Sequence, residues 1–153
     1  MRRLSQGGAR VELRDLRSRQ EVAAGIEDFL RLHMTSRSDK AEFMSPQMQR
    51  FFRAMSVALA GEGLIRLFMM DLDGRPAASV LCFDCCRQLH LYNSGFDPEL
   101  SSLSVGLLSK VLCLEVAIKE GKGCLDFLRG SEPYKYDLGG HDLPIYRCRV
   151  RRS

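Results

Sequence analysis

The sequence of 153 residues has no long apolar run, and its first residues lack the apolar core of a secretory leader. A membrane-spanning helix needs about 20 mainly apolar residues, and a leader needs an apolar stretch of roughly 7 to 15. We therefore expect a soluble, cytoplasmic protein with no membrane span. Internal repeats and low-complexity segments are also missing. The composition of 45% hydrophobic and 27% charged residues excludes wholesale disorder.

A strong charge of one sign is missing as well, since 23 lysines and arginines face 19 acidic residues and the net charge is +4. A DNA-binding domain usually concentrates more positive charge on one face, so we expect no DNA partner. The mild excess is compatible with a phosphate-bearing ligand. Much of it lies near the two ends, in Arg2, Arg3, Arg10, Arg14, Arg17, Arg19, Arg147, Arg149, Arg151 and Arg152.

The six cysteines give no persuasive metal site. Four of them lie in apolar runs, as expected of small buried side chains in a reducing compartment. Cys85, Cys86 and His90 are close in sequence, but adjacent cysteines lack the usual spacing of zinc ligands. We therefore predict no metal cofactor.

The length indicates one domain, which buries roughly two thirds of the surface that the unfolded chain exposes. Residues 1–8 are predicted to be a basic lead-in or linker, and residues 9–153 the domain itself.

The first third of the domain predicts a strand and then a helix. Residues 9–16 alternate apolar with charged side chains, as an edge strand does. Ser18 and Glu21 have the spacing of a capping box, so a helix should begin there. Its apolar face ends at His33, which we interpret as a rim residue and not a catalyst. Residues 35–44 are predicted to be a polar loop.

A second helix should begin at Ser45, with Pro46 in its first turn. Gly61 and Gly63 are expected to end it. Its predicted core-facing stripe consists of Met48, Phe51, Phe52, Met55 and Leu59.

Three antiparallel strands are predicted next. Residues 64–72 and 76–83 are apolar on successive positions, and the Asp73-Gly74 pair between them is typical of a hairpin turn. Strands that are apolar on both sides indicate a sheet covered by helices on both faces. Residues 88–94 form the third strand.

The rest of the chain predicts a strand–helix–strand unit. A loop at 95–102 leads through a capping Ser104 into an apolar helix from about residue 105 to residue 120. A helix start of this kind leaves backbone N–H groups open to an anion. Residues 124–128 are a short buried strand, expected to pair in parallel with the meander. Residues 143–150 alternate and predict a last strand with one basic face.

The densest chemistry lies at the exit of the short strand, in the stretch DFLRGSEPYKY at residues 126–136. Gly130 permits a sharp turn, and Glu132, Tyr134 and Lys135 then supply an acid, a phenol and a base. Side chains at the end of a buried strand are well placed for a site on a rigid support. An ordinary solvated loop uses the same residue types, so both interpretations stay open on this stretch alone.

Three segments resemble the acetyltransferase (GNAT) superfamily: LIRLFMMDLDGRPAASVLCF, LYNSGFDPELSSLSVGLLS and DFLRGSEPYKYDLG. The chain is similar, more closely, to the branch of CelD-type cellulose-biosynthesis proteins and FemAB-like transferases. The resemblance implies an α/β (α+β) acyl-CoA N-acyltransferase fold, with a mixed central sheet, an antiparallel meander and helices on both faces. Members of this branch resemble two such domains in tandem. It therefore also implies that the chain is the carboxyl-terminal half of a longer protein.

The resemblance further implies where an acyl-CoA co-substrate binds. The strands that contain Tyr92 and Leu125 would separate and admit the pantetheine arm, and the helix that starts at Val105 would hold the pyrophosphate. The implied donor-binding residues are Tyr92, Asn93, Ser94, Ser104, Val105, Gly106 and Leu107.

The implied reaction moves an acyl group, in the first place acetyl, to an amine or hydroxyl of a small molecule or cell-envelope sugar. Glu132 is the predicted base. Tyr134 is the predicted acid, because a phenol with a pKa near 10 suits a leaving thiol of about 8 to 9. Lys135 and Arg129 would orient an anionic group, and Asp126 is expected to pair with Arg129.

Two other functions stay open. A FemAB-like transferase takes its donor from aminoacyl-tRNA, although the long helical arm of those relatives is missing here. A catalytically degenerate GNAT domain could act as a binding module, because the glycine-rich pyrophosphate loop usual in the superfamily is reduced here to Ser104, Val105 and Gly106. A partner GNAT-like domain or a homodimer is also compatible with the sequence.

Overall fold

The computed structural model describes residues 8–151. The predicted lead-in thus lies outside the described residues except for Gly8. The elements are β1 (Val11–Leu16), α1 (Arg19–Ser36), α2 (Ser38–Phe43), α3 (Pro46–Gly61), β2 (Ile65–Leu72), β3 (Arg75–Cys85), β4 (Gln88–Phe96), a 3-10 helix (Pro98–Leu103), α4 (Val105–Lys119), β5 (Cys124–Asp126) and α5 (Pro133–Asp137).

Five strands form one mixed sheet in the order β1-β2-β3-β4-β5. The first four pair antiparallel, and β5 runs parallel to β4. The hairpin between β2 and β3 turns at Asp73 and Gly74, whose φ angles of 51° and 79° match the twist of the flanking strands. The predicted α/β architecture, with its antiparallel meander, is confirmed.

Helices cover both faces of this sheet, as the apolar strands predicted. All eight residues of β2 are buried. On one face, α1 and α3 pack through Phe29 and Phe52. On the other, α4 packs through Val105 and Cys113 while it connects β4 to β5. We call these the α1 face and the α4 face.

The predicted starts of the two long helices are confirmed. The Ser18 hydroxyl accepts from the Glu21 N–H at 3.2 Å, and the Glu21 carboxylate accepts from the Ser18 N–H at 2.9 Å. The Ser45 hydroxyl likewise accepts from the Met48 N–H, with Pro46 as the first helical residue. These caps satisfy N–H groups that the first helical turn leaves without intrahelical partners.

Three predictions for the region from α1 to α3 are wrong. Residues 35–44 include the short helix α2, whose first turn carries an acidic residue that suits the helix dipole. Phe51 is 51% exposed, because the adjacent Phe52 takes the core position. His33 is only 1% exposed and does not lie at a rim, since Asn93 provides the hydrogen bond that makes its burial tolerable.

The second half also differs from the prediction in places. Most of the loop at 95–102 belongs to the end of β4 and the 3-10 helix. Residues 143–150 are not a strand, and Tyr146 among them is 87% exposed. Alternation marks a side of a strand that can be buried, but a strand also needs a neighbour to pair with. The strand predicted at 124–128 ends at Asp126, because Leu128 has a φ of 56°.

Strands β4 and β5 pair over three residues and then separate. Their last pair is His90 with Asp126. Just beyond it the register with β3 skips Tyr92, so β4 carries a bulge that increases its local twist. On the other side, Leu128 turns the chain away from the sheet. The predicted separation of these strands is therefore confirmed, and it opens a cleft between the two faces.

Candidate active site

A cleft of about 580 Å³ lies where β4 and β5 part. It is bounded by β4, the start of α4, the exit of β5, α5 and the junction of α1 with α2. Every site residue predicted from the sequence lines it, so the proposed donor and catalytic groups are brought together. The lining residues are Arg37, Lys40, Leu91, Tyr92, Asn93, Ser94, Phe96, Ser101, Ser104, Val105, Gly106, Leu107, Lys110, Phe127, Leu128, Arg129, Glu132, Pro133, Tyr134 and Lys135.

The start of α4 presents backbone N–H groups. Ser104 adopts a left-handed conformation, with a φ of 54°, and its side chain makes no capping hydrogen bond, which corrects the prediction of a serine cap. Its carbonyl accepts from the N–H groups of Leu107 and Leu108. Within residues 8–151, the N–H groups of Val105 and Gly106 have no such partner. Two open N–H groups at the positive end of a helix dipole suit an anionic group.

Two glycines allow close packing around this helix start. A Cβ at Gly106 would lie 2.9 Å from the Phe96 ring, and a Cβ at Gly95 would lie 2.3 Å from the His33 backbone nitrogen. Real Cβ atoms do not come so close to backbone atoms, so Gly95 lets β4 lie directly against α1. The glycine at 106 keeps the first turn of α4 against the end of β4.

The side chains of Tyr92 and Asn93 are occupied on the α1 face. The Tyr92 ring stacks on Phe52, with centroids 5.8 Å apart and planes 19° apart. The Asn93 Oδ1 atom lies 2.9 Å from His33 Nε2. Burial lowers the pKa of His33, so the ring is neutral and donates from Nε2. These contacts fix the position of β4 beside the cleft.

The exit of β5 is shaped by Asp126. Its carboxylate accepts from the Leu128 N–H at 2.7 Å and lies 3.5 Å from His90 Nδ1. The expected pairing of Asp126 with Arg129 is wrong, because the aspartate is turned back toward its own strand and toward β4. Arg129 is exposed at the edge of the cleft.

Lys135 holds the loop after Leu128 in place. Its side chain is buried, and Nζ donates to the carbonyls of Arg129 at 2.9 Å and Gly130 at 3.1 Å. Nζ also lies 2.8 Å from the Glu132 carboxylate and, more distantly, 3.5 Å from the Leu128 carbonyl. An ammonium group has three N–H donors, and these partners account for all of them. The hydrogen bond from Lys135 lowers the pKa of Glu132.

Tyr134 lies between an aromatic ring and a cation. Its ring meets the Phe127 ring edge-on at 6.0 Å, and Lys110 Nζ lies 4.8 Å from its centroid. Burial, and then the nearby Glu132 carboxylate, raise the pKa of Tyr134 to about 12.

Sequence reasoning missed three cations that line the cleft, Arg37, Lys40 and Lys110. Lys110 is 7% exposed, and burial followed by the charge of Lys40 lowers its pKa to about 8. A single lysine in the apolar run VGLLSKVLCLEVAI was the signal that could have found it. Lys40 lies in the segment predicted to be a loop, so no periodicity indicated where its side chain would lie.

The described part of the chain contains neither a cluster of metal-ligating side chains nor a helix that could span a membrane. No group of three or more His, Cys, Asp or Glu side chains there could hold a metal ion. None of its helices is both long and apolar enough to cross a membrane.

Comparison with known proteins identifies the family. Residues 1–136 match the family model described as acetyltransferase (GNAT) domain. Comparison with curated proteins gives no match.

Solved structures share the fold at low sequence identity. The aminoglycoside N-acetyltransferase AAC(6')-Iy, in complex with CoA, is 10% identical with a TM-score of 0.63, over 95% of this chain and 97% of that chain. A GCN5-related N-acetyltransferase from Ralstonia eutropha is 15% identical with a TM-score of 0.65, over 92% and 99%. The PaiA N-acetyltransferase from Thermoplasma acidophilum, in complex with coenzyme A, is 13% identical with a TM-score of 0.52, over 76% and 78%.

The family match covers most of the chain, and the solved structures agree with it in fold. The chain therefore belongs to the acetyltransferase (GNAT) domain family and is a GNAT-type N-acyltransferase.

Proposed function

We propose that the protein transfers an acyl group, in the first place acetyl, from acyl-CoA to an amine or hydroxyl of a small molecule or cell-envelope sugar. The observation that supports this is the cleft at the parting of β4 and β5, which joins the start of α4 to the polar segment before α5. Two substrates held in one cleft react faster than in solution, because binding removes their translational and rotational freedom.

The donor side of the proposed site runs along β4 to the start of α4. Two of the solved structures with this fold are coenzyme A complexes. The open N–H groups of Val105 and Gly106 fit its pyrophosphate. Acyl-CoA supplies the activated thioester. The remaining donor contacts are proposed for Tyr92, Asn93, Ser94, Ser104 and Leu107.

Glu132 is the proposed base, and Tyr134 is proposed to stabilise the leaving sulfur. The ion pair with Lys135 makes Glu132 a weak base, so we assign it to orient the acceptor amine and take its proton through a water molecule. A leaving thiol has a pKa of about 8.5. Tyr134 is a weaker acid than that, so its role is to donate a hydrogen bond to the leaving sulfur.

Lys135 and Arg129 take different roles in this proposal. Lys135 is a positioning residue, because its three donors are used within the loop and by Glu132. Arg129 is exposed at the edge of the cleft and is free to meet an anionic group of either substrate.

The first test is calorimetric titration of the protein with acetyl-CoA. We expect saturable binding with a dissociation constant in or below the micromolar-to-millimolar range typical of enzyme substrates. Absence of binding at millimolar coenzyme would overturn the proposal and favour a binding module without catalysis.

The second test is thiol release from acetyl-CoA with a panel of small amines. The variants Glu132→Gln and Tyr134→Phe should lower kcat by about 10²-fold or more, with little change in the KM for acetyl-CoA. The Lys119→Met variant, on the exposed end of α4, is the control with unchanged rates. Unchanged turnover in both site variants would remove these two roles and leave the proposed reaction standing.

Three narrower expectations from the sequence remain predictions. These are membership in the CelD-like and FemAB-like branch, a second GNAT-like domain or a homodimer as partner, and cytoplasmic location. No feature of the described residues favours an aminoacyl-tRNA donor over acyl-CoA.

A further inference from the structure

The cleft holds far more positive than negative charge. Its lining includes five cationic side chains and one carboxylate, Glu132. Arg37 is neutralised by the two oxygens of Asp39, at 2.9 and 2.8 Å, and Lys135 is neutralised by Glu132. The other three cations have no acidic group within 4.0 Å in residues 8–151. They are Lys40, Lys110 and Arg129.

Two of these cations enter from opposite faces of the sheet. Helix α2 lies on the α1 face, where the Phe43 ring contacts His33 and Phe52, and it carries Lys40. Helix α4 covers the other face and carries Lys110. Both side chains reach the cleft that opens where β4 and β5 part, and the charge of Lys40 disfavours the charge of Lys110. Like charges brought together in a partly buried cleft are unfavourable without a counterion.

Both ammonium groups have unused donors. Lys40 Nζ donates to the Ser94 carbonyl at 2.6 Å, and Lys110 Nζ donates to the Gly106 carbonyl at 2.7 Å. These are their only hydrogen bonds among the described residues, so Lys40 retains two N–H groups. Lys110 Nζ also faces the Tyr134 ring, 4.8 Å from its centroid, and retains at least one N–H group for a ligand. Lys135, by contrast, uses all three of its donors within the protein. A bound anion would accept hydrogen bonds from the remaining N–H groups of Lys40 and Lys110 and would balance their charge.

We propose that the acyl acceptor carries an anionic group, a carboxylate or a phosphate, which binds between Lys40 and Lys110. The inference rests on the proposed acyltransfer function and names the class of its acceptor. Charge-assisted hydrogen bonds from two ammonium groups would hold the anion and orient the amine or hydroxyl toward Glu132 and Tyr134.

This assignment separates the chain from the aminoglycoside acetyltransferases that share its fold. Aminoglycosides carry several ammonium groups, which the excess positive charge of the cleft repels. Repulsion of this kind discriminates between ligands as effectively as attraction does. We therefore expect no aminoglycoside to be an efficient acceptor.

Acyl-CoA also carries phosphates, so the same cations have two possible anionic partners. The open N–H groups of Val105 and Gly106 provide for the donor pyrophosphate on the α4 face. Lys40 lies on the α1 face, held against Ser94 near the end of β4. Both ammonium groups are held by carbonyls of residues on the proposed donor side, Ser94 and Gly106. We assign the Lys40–Lys110 site to the acceptor because Lys40 comes from the α1 face, opposite the helix start that provides for the pyrophosphate, and titration with and without CoA distinguishes the two assignments.

The test uses sulfate as the probe, followed by amide NMR at constant ionic strength. Sulfate is titrated into the free protein and into the protein saturated with CoA. We expect saturable binding in both titrations, because CoA leaves the acceptor site open. Lys40→Met and Lys110→Met should each weaken the binding about tenfold or more, whereas Lys119→Met, which removes the same charge from an exposed position, should not.

The two titrations separate failure of the acceptor assignment, of the anion site and of the proposed function. Sulfate that binds only in the absence of CoA would overturn the assignment to the acceptor and give these lysines to the donor phosphates. Absence of sulfate binding while CoA still binds would overturn the anion site and leave the proposed function intact. Sulfate binding without CoA binding would overturn the proposed function instead.

A kinetic arm then compares phosphoethanolamine with ethanolamine, which present the same amine with and without a phosphate. We expect acetylation, measured by thiol release, to favour phosphoethanolamine about tenfold or more in kcat/KM, and the preference to disappear in Lys40→Met. Equal rates for the two amines, or higher rates for kanamycin than for phosphoethanolamine, would contradict the proposal.

Discussion

Two groups of cations, each with one buried member, lie near opposite ends of α4, roughly 20 Å apart along its axis. At the carboxyl end, Arg66 is 2% exposed and hydrogen-bonds to the carboxylates of Asp15, Asp84 and Glu120. At the amino end, Lys40 and Lys110 have no carboxylate within ion-pair distance among the described residues. The charges of the first group are balanced by carboxylates of the protein, and those of the second group are not.

The charge balance of the Arg66 cluster explains its role. Three cations, supplied by Arg66, Arg17 and Lys122, face the same number of carboxylates. Burial disfavours the charge on Arg66, but the hydrogen bonds to Asp15 and Glu120 outweigh it and raise the pKa of the guanidinium. A balanced cluster of this kind joins β1, β2, β3 and the end of α4, and it needs no ligand.

The two groups differ in how far the protein itself satisfies the donors of their cations. A buried cation whose donors are all satisfied by the protein holds the fold together, as Arg66 and Lys135 do. A cation that is buried or half-buried with donors left over imposes a free-energy cost that a ligand relieves, as for the buried Lys110 and the half-buried Lys40.

The largest expected effect is the loss of stability caused by Arg66→Met. The substitution leaves three carboxylates with only two cations in a mostly buried setting, so we expect the free energy of unfolding to fall by about 3–5 kcal/mol. Urea denaturation measures it. Arg31→Met is the control, because Arg31 forms an exposed pair with Asp28 and its removal should change stability by about 0.5 kcal/mol or less. Equal losses of stability in Arg66→Met and Arg31→Met would contradict the structural role of the Arg66 cluster.

A smaller loss of stability is expected for Lys135→Met. The carbonyls of Arg129 and Gly130 would lose their donor, and a buried polar group left without a partner costs about 1–3 kcal/mol. Activity should fall as well, since this loop forms one wall of the cleft. Urea denaturation and thiol release measure the two effects. A variant with full stability would show that Lys135 does not anchor the loop.

The change in stability is expected to have the opposite sign, or to be absent, in Lys110→Met. The folded state disfavours the charge on Lys110, as its lowered pKa indicates, so replacing it with an apolar side chain of similar length should leave stability unchanged or raise it. The same urea experiment applies. A loss comparable to that of Arg66→Met would mean that Lys110 is a structural cation after all.

The smallest expected effect is the pH dependence of sulfate binding. Lys110 is protonated below its pKa of about 8 and loses its charge above it, so sulfate affinity should fall as the pH rises through that value. The facing groups are Lys40 on α2, Glu132 and Tyr134 near α5, and Cys113 on α4 itself. Lys40 also has a lowered pKa and acts in the same direction.

The other facing groups do not titrate in that range. The pKa of Glu132 is lowered from an already acidic value, Tyr134 has a pKa of about 12, and burial raises that of Cys113. Affinity measured by NMR between pH 6.5 and 9 checks the slope. A flat profile in the wild type, or an unchanged slope in Lys110→Met, would exclude Lys110 as a source of the effect.

Local patterns predicted much of the fold. The capping box at Ser18, the Asp73-Gly74 turn and the doubly apolar strands each have a cause within a few residues, and all three are present. The parting of β4 from β5 followed from the family resemblance, and the structure explains it through the bulge at Tyr92 and the turn at Leu128.

What the sequence could not supply depends on distant partners. His33 is buried because Asn93, sixty residues away, satisfies its ring. Residues 143–150 alternate correctly for a strand but have none beside them. Lys40 becomes part of the cleft only because α2 packs over Phe52 and Ser94 accepts its hydrogen bond.

The most direct test of the central claim is an amide NMR titration with acetyl-CoA. The cleft at the start of α4 should bind it, with the largest shifts at Val105 and Gly106 and along residues 92–94, and with little change around Arg66. Binding that shifts the Arg66 region instead, or an absence of shifts at millimolar acetyl-CoA, would contradict it.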